Sequence, residues 1–125
     1  MVYDANNIFA KIVRKEIPAK IVYEDEAVLA FHDVSPAAPV HVLVIPKGEY
    51  VSFNDFTAQA GEASIAGFFA KIQHIAENEL KLAADGYRLI TNHGANASQT
   101  VPHFHVHIVG GAKLGGLLPG DVLNR

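Results

Sequence analysis

Three histidines near the end of the 125-residue chain alternate with apolar residues in a pattern that could carry chemistry: His103, His105 and His107. On a β-strand, this alternation predicts that the imidazoles share one face and that the apolar side chains between them lie on the core face. An imidazole titrates near neutral pH, so it can act as a nucleophile, a base or a metal ligand. The spacing alone leaves covalent catalysis and a metal-binding enzyme that uses this three-histidine strand equally open.

The loop before the three histidines favours phosphate binding. Small and hydrogen-bonding residues follow one another from His93 to Thr100. Backbone N–H groups and hydroxyls in such a loop can surround a phosphate. A zinc site usually recruits a carboxylate or a further histidine with supporting hydrogen bonds. The chain has no cysteine, which excludes disulfides, thiolate zinc sites and cysteine nucleophiles.

Apolar periodicity and chain breakers predict two helices. A short amphipathic helix is expected over residues 7–14, with Asn7 as its N-cap. Helical periodicity from about Asp55 or Thr57 to Ala84 predicts one long helix, which residues 85–86 would close.

Short β-branched and aromatic runs between turn residues predict five strands. The first two are joined as a hairpin. The expected strands cover residues 21–23, 28–31, 40–45, 87–91 and 103–109. The sequence therefore predicts an α+β domain in which one long helix covers one face of an antiparallel five-stranded sheet.

Composition excludes several classes of protein. Half of the residues are hydrophobic, 18% are charged and the net charge is −3, which excludes a disordered chain and argues against a nucleic-acid-binding face. No apolar run is long enough to span a bilayer, and the N-terminus lacks the basic and apolar regions of a signal peptide. We therefore expect a cytoplasmic protein with neither a membrane nor a nucleic acid polymer as partner.

The segment His103–Val109 matches the His-x-His-x-His-x-x motif of the histidine triad (HIT) superfamily, with apolar residues at x. Further segments resemble the Hint-like branch of that superfamily. They are residues 8–9, 14–20, 30–36, 38–47, 86–89 and 110–111. The resemblance covers about residues 8–111 and implies a single HIT domain over residues 1–125, with residues 112–125 as a C-terminal tail.

This resemblance implies a hydrolase of nucleoside phosphoramidates and related nucleoside monophosphate conjugates, of the adenosine 5′-phosphoramidate type. The reaction would pass through a covalent nucleotidyl-histidine intermediate and need no cofactor or metal. The implied partners are a purine nucleotide substrate, as an AMP or GMP conjugate, and a second copy of the chain in a homodimer with a continuous sheet.

By the same resemblance, His105 is the nucleophile, His107 contacts the phosphate and His103 supports the site by hydrogen bonding. His41 matches a fourth histidine with a part in proton transfer to the leaving group. The phosphate-site positions are Asn92, Ser98, Thr100 and His107. The nucleoside-binding positions are Ile8, Phe9, Ile12, Ile17, His32, Asp33 and Val34. The resemblance gives no role to His74 or His93.

One alternative within the superfamily stays open. Gln99, Thr100 and Val101 also resemble the Fhit branch, which cleaves dinucleoside polyphosphates. That branch continues after its triad with Pro-Arg, whereas this chain continues with Gly110 and Gly111. The segment after the triad therefore favours the Hint-like branch.

Overall fold

The computed structural model describes residues 2–123 and contains one five-stranded antiparallel sheet. The strands lie in the order β1-β2-β3-β5-β4. They are β1 (Ile21–Glu24), β2 (Val28–His32), β3 (Val40–Pro46), β4 (Tyr87–Ile90) and β5 (Val106–Gly110). The predicted α+β class, the strand number and the hairpin between the first two strands are confirmed.

The first helix, α1 (Ile8–Val13), begins where the sequence predicts it. The Asn7 side chain accepts a hydrogen bond from the Ala10 N–H at 2.9 Å, so the predicted N-cap is confirmed. Phe9, Ala10 and Ile12 form the buried side of this helix.

The predicted long helix is divided in the structure, and that boundary prediction was wrong. Helix α2 (Phe53–Gln59) and helix α3 (Glu62–His74) are separated at Gly61, whose φ of 83° is accessible to glycine at no steric cost. A π-helical turn, Ile75–Glu79, extends α3, and Lys81 at φ 57° ends it before Ala84. Apolar periodicity runs across the break because both helices pack on the same core.

The two faces of the sheet have separate cores. Helices α2 and α3 cover a cluster that includes Val42, Phe68, Phe104 and Ile108. Helix α1 covers only part of the opposite face. Its side chains contribute to a second cluster, which consists of Phe9, Ile12, Leu29, Phe31, Leu43 and Ile45. The uncovered part of this second face leaves space beside α1.

Strand β5 begins at Val106, later than predicted, so only His107 of the three histidines lies within it. Pro102 lacks a backbone N–H, and the Phe104 N–H donates to the Tyr50 carbonyl at 2.7 Å instead of joining the strand ladder. The predicted alternation nevertheless holds for packing, because Phe104, Val106 and Ile108 all lie in the helix-covered core.

No helix within residues 2–123 is both long enough and apolar enough to cross a membrane.

Gly111, directly after β5, offers a test of the fold. Its φ is 87°, and an added Cβ would lie 3.0 Å from the Pro39 Cβ and 3.3 Å from the Val40 backbone nitrogen. We expect Gly111→Ala to lower the free energy of unfolding by about 2 kcal/mol, measured by urea denaturation. Gly86→Ala is the matched control, since φ is 96° there and an added Cβ meets nothing within 4 Å. Equal losses in both variants would contradict crowding at Gly111.

Candidate active site

His105 is held in one orientation by the backbone of the same segment. Its Nδ1–H donates to the His103 carbonyl at 2.7 Å, and the Phe9 ring packs perpendicular to the imidazole with 5.0 Å between centroids. Because Nδ1 carries the proton, the lone pair is on Nε2. The side chain is 7% exposed, and burial lowers the pKa of His105 below its usual value. A neutral imidazole with a fixed, unprotonated Nε2 can act as a nucleophile.

The His103 side chain is buried, and both of its ring nitrogens are hydrogen-bonded within the protein. Its Nε2–H donates to the Pro46 carbonyl at 2.8 Å, and its Nδ1 accepts from the Tyr3 hydroxyl at 2.6 Å. Burial lowers the pKa of His103 to about 4, so the ring is neutral at pH 7. Both ring nitrogens are therefore committed, and His103 acts through its carbonyl, which orients His105.

Hydrogen bonding also fixes where His41 and His107 carry their protons. The Ala37 N–H donates to His41 Nδ1 at 2.9 Å, so the proton of a neutral His41 is on Nε2. His41 Nε2 lies 2.8 Å from His107 Nδ1 and donates to it, which places the His107 proton on Nε2. Burial and the neighbouring His105 and His41 lower the pKa of His107 to about 4. His107 thus offers an N–H donor to an anion.

Asp33 lies beside this pair of histidines. One carboxylate oxygen, Oδ1, accepts the Ser35 N–H at 2.8 Å, which fixes the side chain. The other oxygen, Oδ2, lies 3.5 Å from His41 Nε2. It can accept hydrogen bonds from a bound hydroxyl.

A cavity of about 300 Å³ opens between α1 and the sheet at these side chains. We call it the nucleoside cavity because the residues predicted to bind the nucleoside line it. It brings together most of the predicted site: Ile8, Phe9, Ile12, Ile17, His32, Asp33, Val34, Thr100, His105 and His107. Phe9 and Ile12 form buried walls, whereas Val34 is 98% exposed and lies at the rim. An apolar wall at one end and imidazoles with a hydroxyl at the other suit a ligand that has a flat base and a phosphate.

Of the three residues of the loop 91–100 that were predicted to bind phosphate, only one lines the cavity. The Thr100 side chain lines the cavity, whereas the cavity-lining residues include neither Asn92 nor Ser98. Asn92 Nδ2 donates to the Ala97 carbonyl at 2.8 Å and so holds the loop closed. Ser98 has a φ of 59° at the end of the short 3₁₀ turn. Phosphate contact by these two residues stays a prediction.

Three groups to which the sequence assigned no contact hold the site together. Tyr3 fixes His103, and the Ala37 N–H fixes His41. Gln99 accepts from the Gly94 N–H and donates to the carbonyls of Val51 and Val101, which ties the loop to the segment after β3. Each of these contacts joins residues distant in sequence or uses a backbone group, so the local sequence pattern could not predict it. The one available indication was that Gln99 lies in the predicted phosphate loop.

Within residues 2–123, the side chains that could hold a metal ion together are Asp33, His41 and His107, whose ligand atoms lie within 4.8 Å of one another. The metal-binding alternative placed on His103, His105 and His107 does not match this set, because both nitrogens of His103 are already bonded. The set itself fits a metal poorly. A histidine that binds a metal through Nε2 carries a proton on Nδ1, and Nδ1 of His41 faces the Ala37 N–H, which is a donor.

Comparison with known proteins places this chain in a family. The HIT domain matches residues 14–114. The chain is 45% identical over 111 residues to the purine nucleoside phosphoramidase of Escherichia coli, which is 89% of this chain and 92% of that protein. It is 53% identical over 116 residues to an uncharacterised HIT-like protein of Rickettsia prowazekii, covering 93% and 96% of the two chains.

Solved structures agree with the sequence comparison. A histidine triad protein from Clostridium difficile superposes with a TM-score of 0.84 at 38% identity, over 94% of this chain and 100% of the other. A HIT family hydrolase from Clostridium thermocellum superposes with a TM-score of 0.83 at 42% identity, over 90% of this chain and 97% of the other. The chain belongs to the HIT family.

Proposed function

We propose that this protein hydrolyses nucleoside phosphoramidates and related nucleoside monophosphate conjugates, with His105 as the nucleophile. The observation that carries the proposal is the hydrogen bond from His105 Nδ1–H to the His103 carbonyl, which leaves Nε2 unprotonated in the nucleoside cavity beside His107. The 45% identity to the Escherichia coli purine nucleoside phosphoramidase supports the same substrate class. The base would pack against Phe9 and Ile12.

In the first half-reaction, His105 Nε2 attacks phosphorus and forms a new P–N bond. The bond between phosphorus and the leaving amine breaks, and its electron pair goes to the amine nitrogen, which takes one proton from water at the open side of the cavity. The positive charge that develops on the His105 ring is stabilised by the His103 carbonyl that accepts Nδ1–H. His107 donates Nε2–H to a phosphoryl oxygen.

In the second half-reaction, water attacks the same phosphorus and a P–O bond forms. The P–Nε2 bond breaks, and its electron pair returns to His105. The extra proton of the attacking water goes to solvent. The products are a nucleoside monophosphate and a free amine, and the enzyme regains its starting protonation.

The contacts of His41 support a positioning role beside the proton-transfer role that the family resemblance implies. Its Nδ1 accepts from the Ala37 N–H and its Nε2–H donates to His107 Nδ1, so both ring nitrogens are held in hydrogen bonds. His41 therefore keeps the His107 proton on Nε2, where it points toward phosphate.

The decisive experiment traps the intermediate. Wild-type protein and a His41→Ala variant are mixed with adenosine 5′-phosphoramidate, quenched within a turnover, and analysed by intact mass and peptide mapping. We expect one adenylyl group on His105, with accumulation greater in the variant if water attack slows. A parallel reaction with a dinucleoside polyphosphate compares the rate at which this alternative substrate is hydrolysed with the rate for the phosphoramidate. Turnover of the phosphoramidate without an adduct at any quench time, together with full activity in His105→Ala, would refute the mechanism.

Asp33 should bind the ribose hydroxyls, because its Oδ2 is an acceptor at the edge of the nucleoside cavity. Asp33→Asn replaces this acceptor with a donor, and we expect KM for adenosine 5′-phosphoramidate to rise by about tenfold or more. The 2′,3′-dideoxy analogue is the control, since it offers no hydroxyl. A similar rise in KM for the dideoxy analogue would show that Asp33 acts elsewhere.

We further propose a homodimer that forms through β4. This strand lies at the edge of the sheet, and its Leu89 and Ile90 are 43% and 39% exposed. An exposed apolar edge strand is a surface on which a second sheet can pair. Light scattering coupled to size-exclusion chromatography would give the mass of two chains, and a monomer mass at micromolar concentration would reject the proposal.

A further inference from the structure

The carbonyl that orients His105 lies outside the paired part of the sheet. Strand β5 begins one residue after His105, so the backbone pairing of the sheet does not extend to residues 103–105. The peptide between His103 and Phe104 presents its carbonyl to His105 Nδ1–H and its N–H to the Tyr50 carbonyl. The orientation of this peptide therefore depends on contacts other than the strand ladder.

Two contacts hold the His103 side chain, and they come from distant parts of the chain. Its Nε2–H donates to the Pro46 carbonyl at the end of β3, and its Nδ1 accepts from the Tyr3 hydroxyl. The rings of Tyr3 and His103 also pack at 69° to one another, with 5.6 Å between centroids. Pro46 and Tyr50 act on this segment through backbone carbonyls, whereas Tyr3 acts through its side chain. A substitution at position 3 can therefore remove one support and leave the others in place.

The Tyr3 hydroxyl acts as a donor in this contact. His103 Nδ1 carries no proton, because the proton of the neutral ring is on Nε2, where it meets the Pro46 carbonyl. Burial raises the pKa of Tyr3 above its usual value, so the hydroxyl keeps its proton at neutral pH. Without this hydroxyl, the buried His103 Nδ1 would lose its donor.

Helix α1 fixes the position of the segment that carries Tyr3. The backbone N–H and the side-chain Nδ2 of Asn7 both donate to the Asp4 carbonyl, at 3.2 and 2.7 Å. The same helix carries Phe9, whose ring packs against the His105 imidazole. The N-terminal segment and α1 therefore support the nucleophile as one unit.

We propose that Tyr3 is a positioning residue for the nucleophile. Through His103, it keeps the peptide between residues 103 and 104 in the orientation in which its carbonyl accepts from His105 Nδ1–H. This inference rests on the proposed function. The residues that line the nucleoside cavity do not include Tyr3, so it acts without touching the substrate. Loss of its hydroxyl should slow the formation of the P–N bond and leave nucleotide binding intact.

The variant Tyr3→Phe tests this proposal, because it removes the hydroxyl and keeps the ring. We expect kcat/KM for adenosine 5′-phosphoramidate to fall by about tenfold, which is the value of one hydrogen bond to a buried group. The affinity for AMP, measured by calorimetric titration, should stay at the wild-type value. Urea denaturation establishes that the variant is folded under the conditions of the assay.

A second measurement follows the orientation of His105 directly and needs no substrate. NMR of protein labelled with ¹⁵N at histidine reports how fast the His105 Nδ1–H proton exchanges with water. In the wild-type protein this proton is held by the His103 carbonyl. We expect its exchange to be about tenfold faster in Tyr3→Phe, because the carbonyl is no longer held in place.

Tyr23→Phe is the matched control. Tyr23 is half-buried, as Tyr3 is, and its ring packs against a histidine, His74, with 5.7 Å between centroids. Its hydroxyl donates to Asp25, and its strand β1 is separated from β5 by β2 and β3. The control variant should lower the free energy of unfolding and leave both kcat/KM and the exchange of His105 Nδ1–H unchanged.

The outcomes separate the two proposals. A folded Tyr3→Phe protein with wild-type kcat/KM and wild-type exchange of His105 Nδ1–H has lost only a structural contact, and this result would overturn the positioning role. Failure of the wild-type protein to hydrolyse the phosphoramidate would overturn the proposed function instead. The exchange rate would then still decide whether Tyr3 orients His105.

Discussion

Replacing His105 with alanine is expected to lower kcat/KM for adenosine 5′-phosphoramidate on the order of 10⁴-fold, because it removes the nucleophile and with it the covalent route. The loss should appear in kcat. Phe9 and Ile12 remain packed in the core cluster on the sheet when His105 is shortened, so nucleotide binding should persist. Steady-state kinetics and calorimetric titration with AMP measure the two effects separately.

Two controls make this result specific. His74→Ala also removes an imidazole but lies away from the cavity, and it should keep wild-type kinetics. His105→Ala should unfold in urea close to the wild-type midpoint, which shows that the variant is folded. A His105→Ala protein that is folded, binds AMP and retains a tenth or more of wild-type kcat would contradict nucleophilic catalysis by His105.

Acid should destabilise the protein between pH 6.5 and 4 through His103 and His107. Its pKa is about 4 in the folded protein against about 6.5 in the unfolded chain, so the unfolded chain binds more protons in this interval. The free energy of unfolding therefore falls as the pH is lowered through this window. For His103 alone, the fall between pH 7 and pH 4.5 is about 2 kcal/mol. His107, with a pKa also near 4, adds to it in the same direction.

Urea denaturation at a series of pH values isolates the His103 contribution when His103→Gln is measured in parallel. Glutamine retains a donor and an acceptor for Pro46 and Tyr3 but does not titrate. We expect the variant to be less stable at pH 7 and to lose about 2 kcal/mol less than wild type on going to pH 4.5. Parallel curves for the two proteins would mean that His103 titrates normally in the folded state.

Much of the fold and part of the site could be predicted from sequence, since both depend on local pattern. The Asn7 cap and the five strands follow from residue types within a few positions of one another. The break at Gly61 did not follow, because apolar periodicity reports which face is buried and not whether the backbone is continuous. The start of β5 was misplaced for a related reason: alternation persists before Val106 although strand pairing does not.

The parts of the site that sequence missed depend on contacts across the fold. Tyr3 and His103 are 100 positions apart, and their hydrogen bond exists only because the fold brings the N-terminal segment against the histidine segment. Gln99 was noticed as part of a motif, but its bonds to Gly94 and Val51 could not be inferred from spacing. By contrast, all seven positions that the resemblance predicts for nucleoside binding line one cavity.

The hydrogen bond from Ala37 to His41 has a consequence for which substitutions the site can tolerate. The group that fixes the protons of His41 and His107 is a main-chain amide, and every amino acid except proline supplies one. The exposed side chain at position 37 is therefore free to vary over evolution or in a mutant library without disturbing the chemistry. Proline alone would remove the N–H and leave the two imidazoles without a defined arrangement of protons.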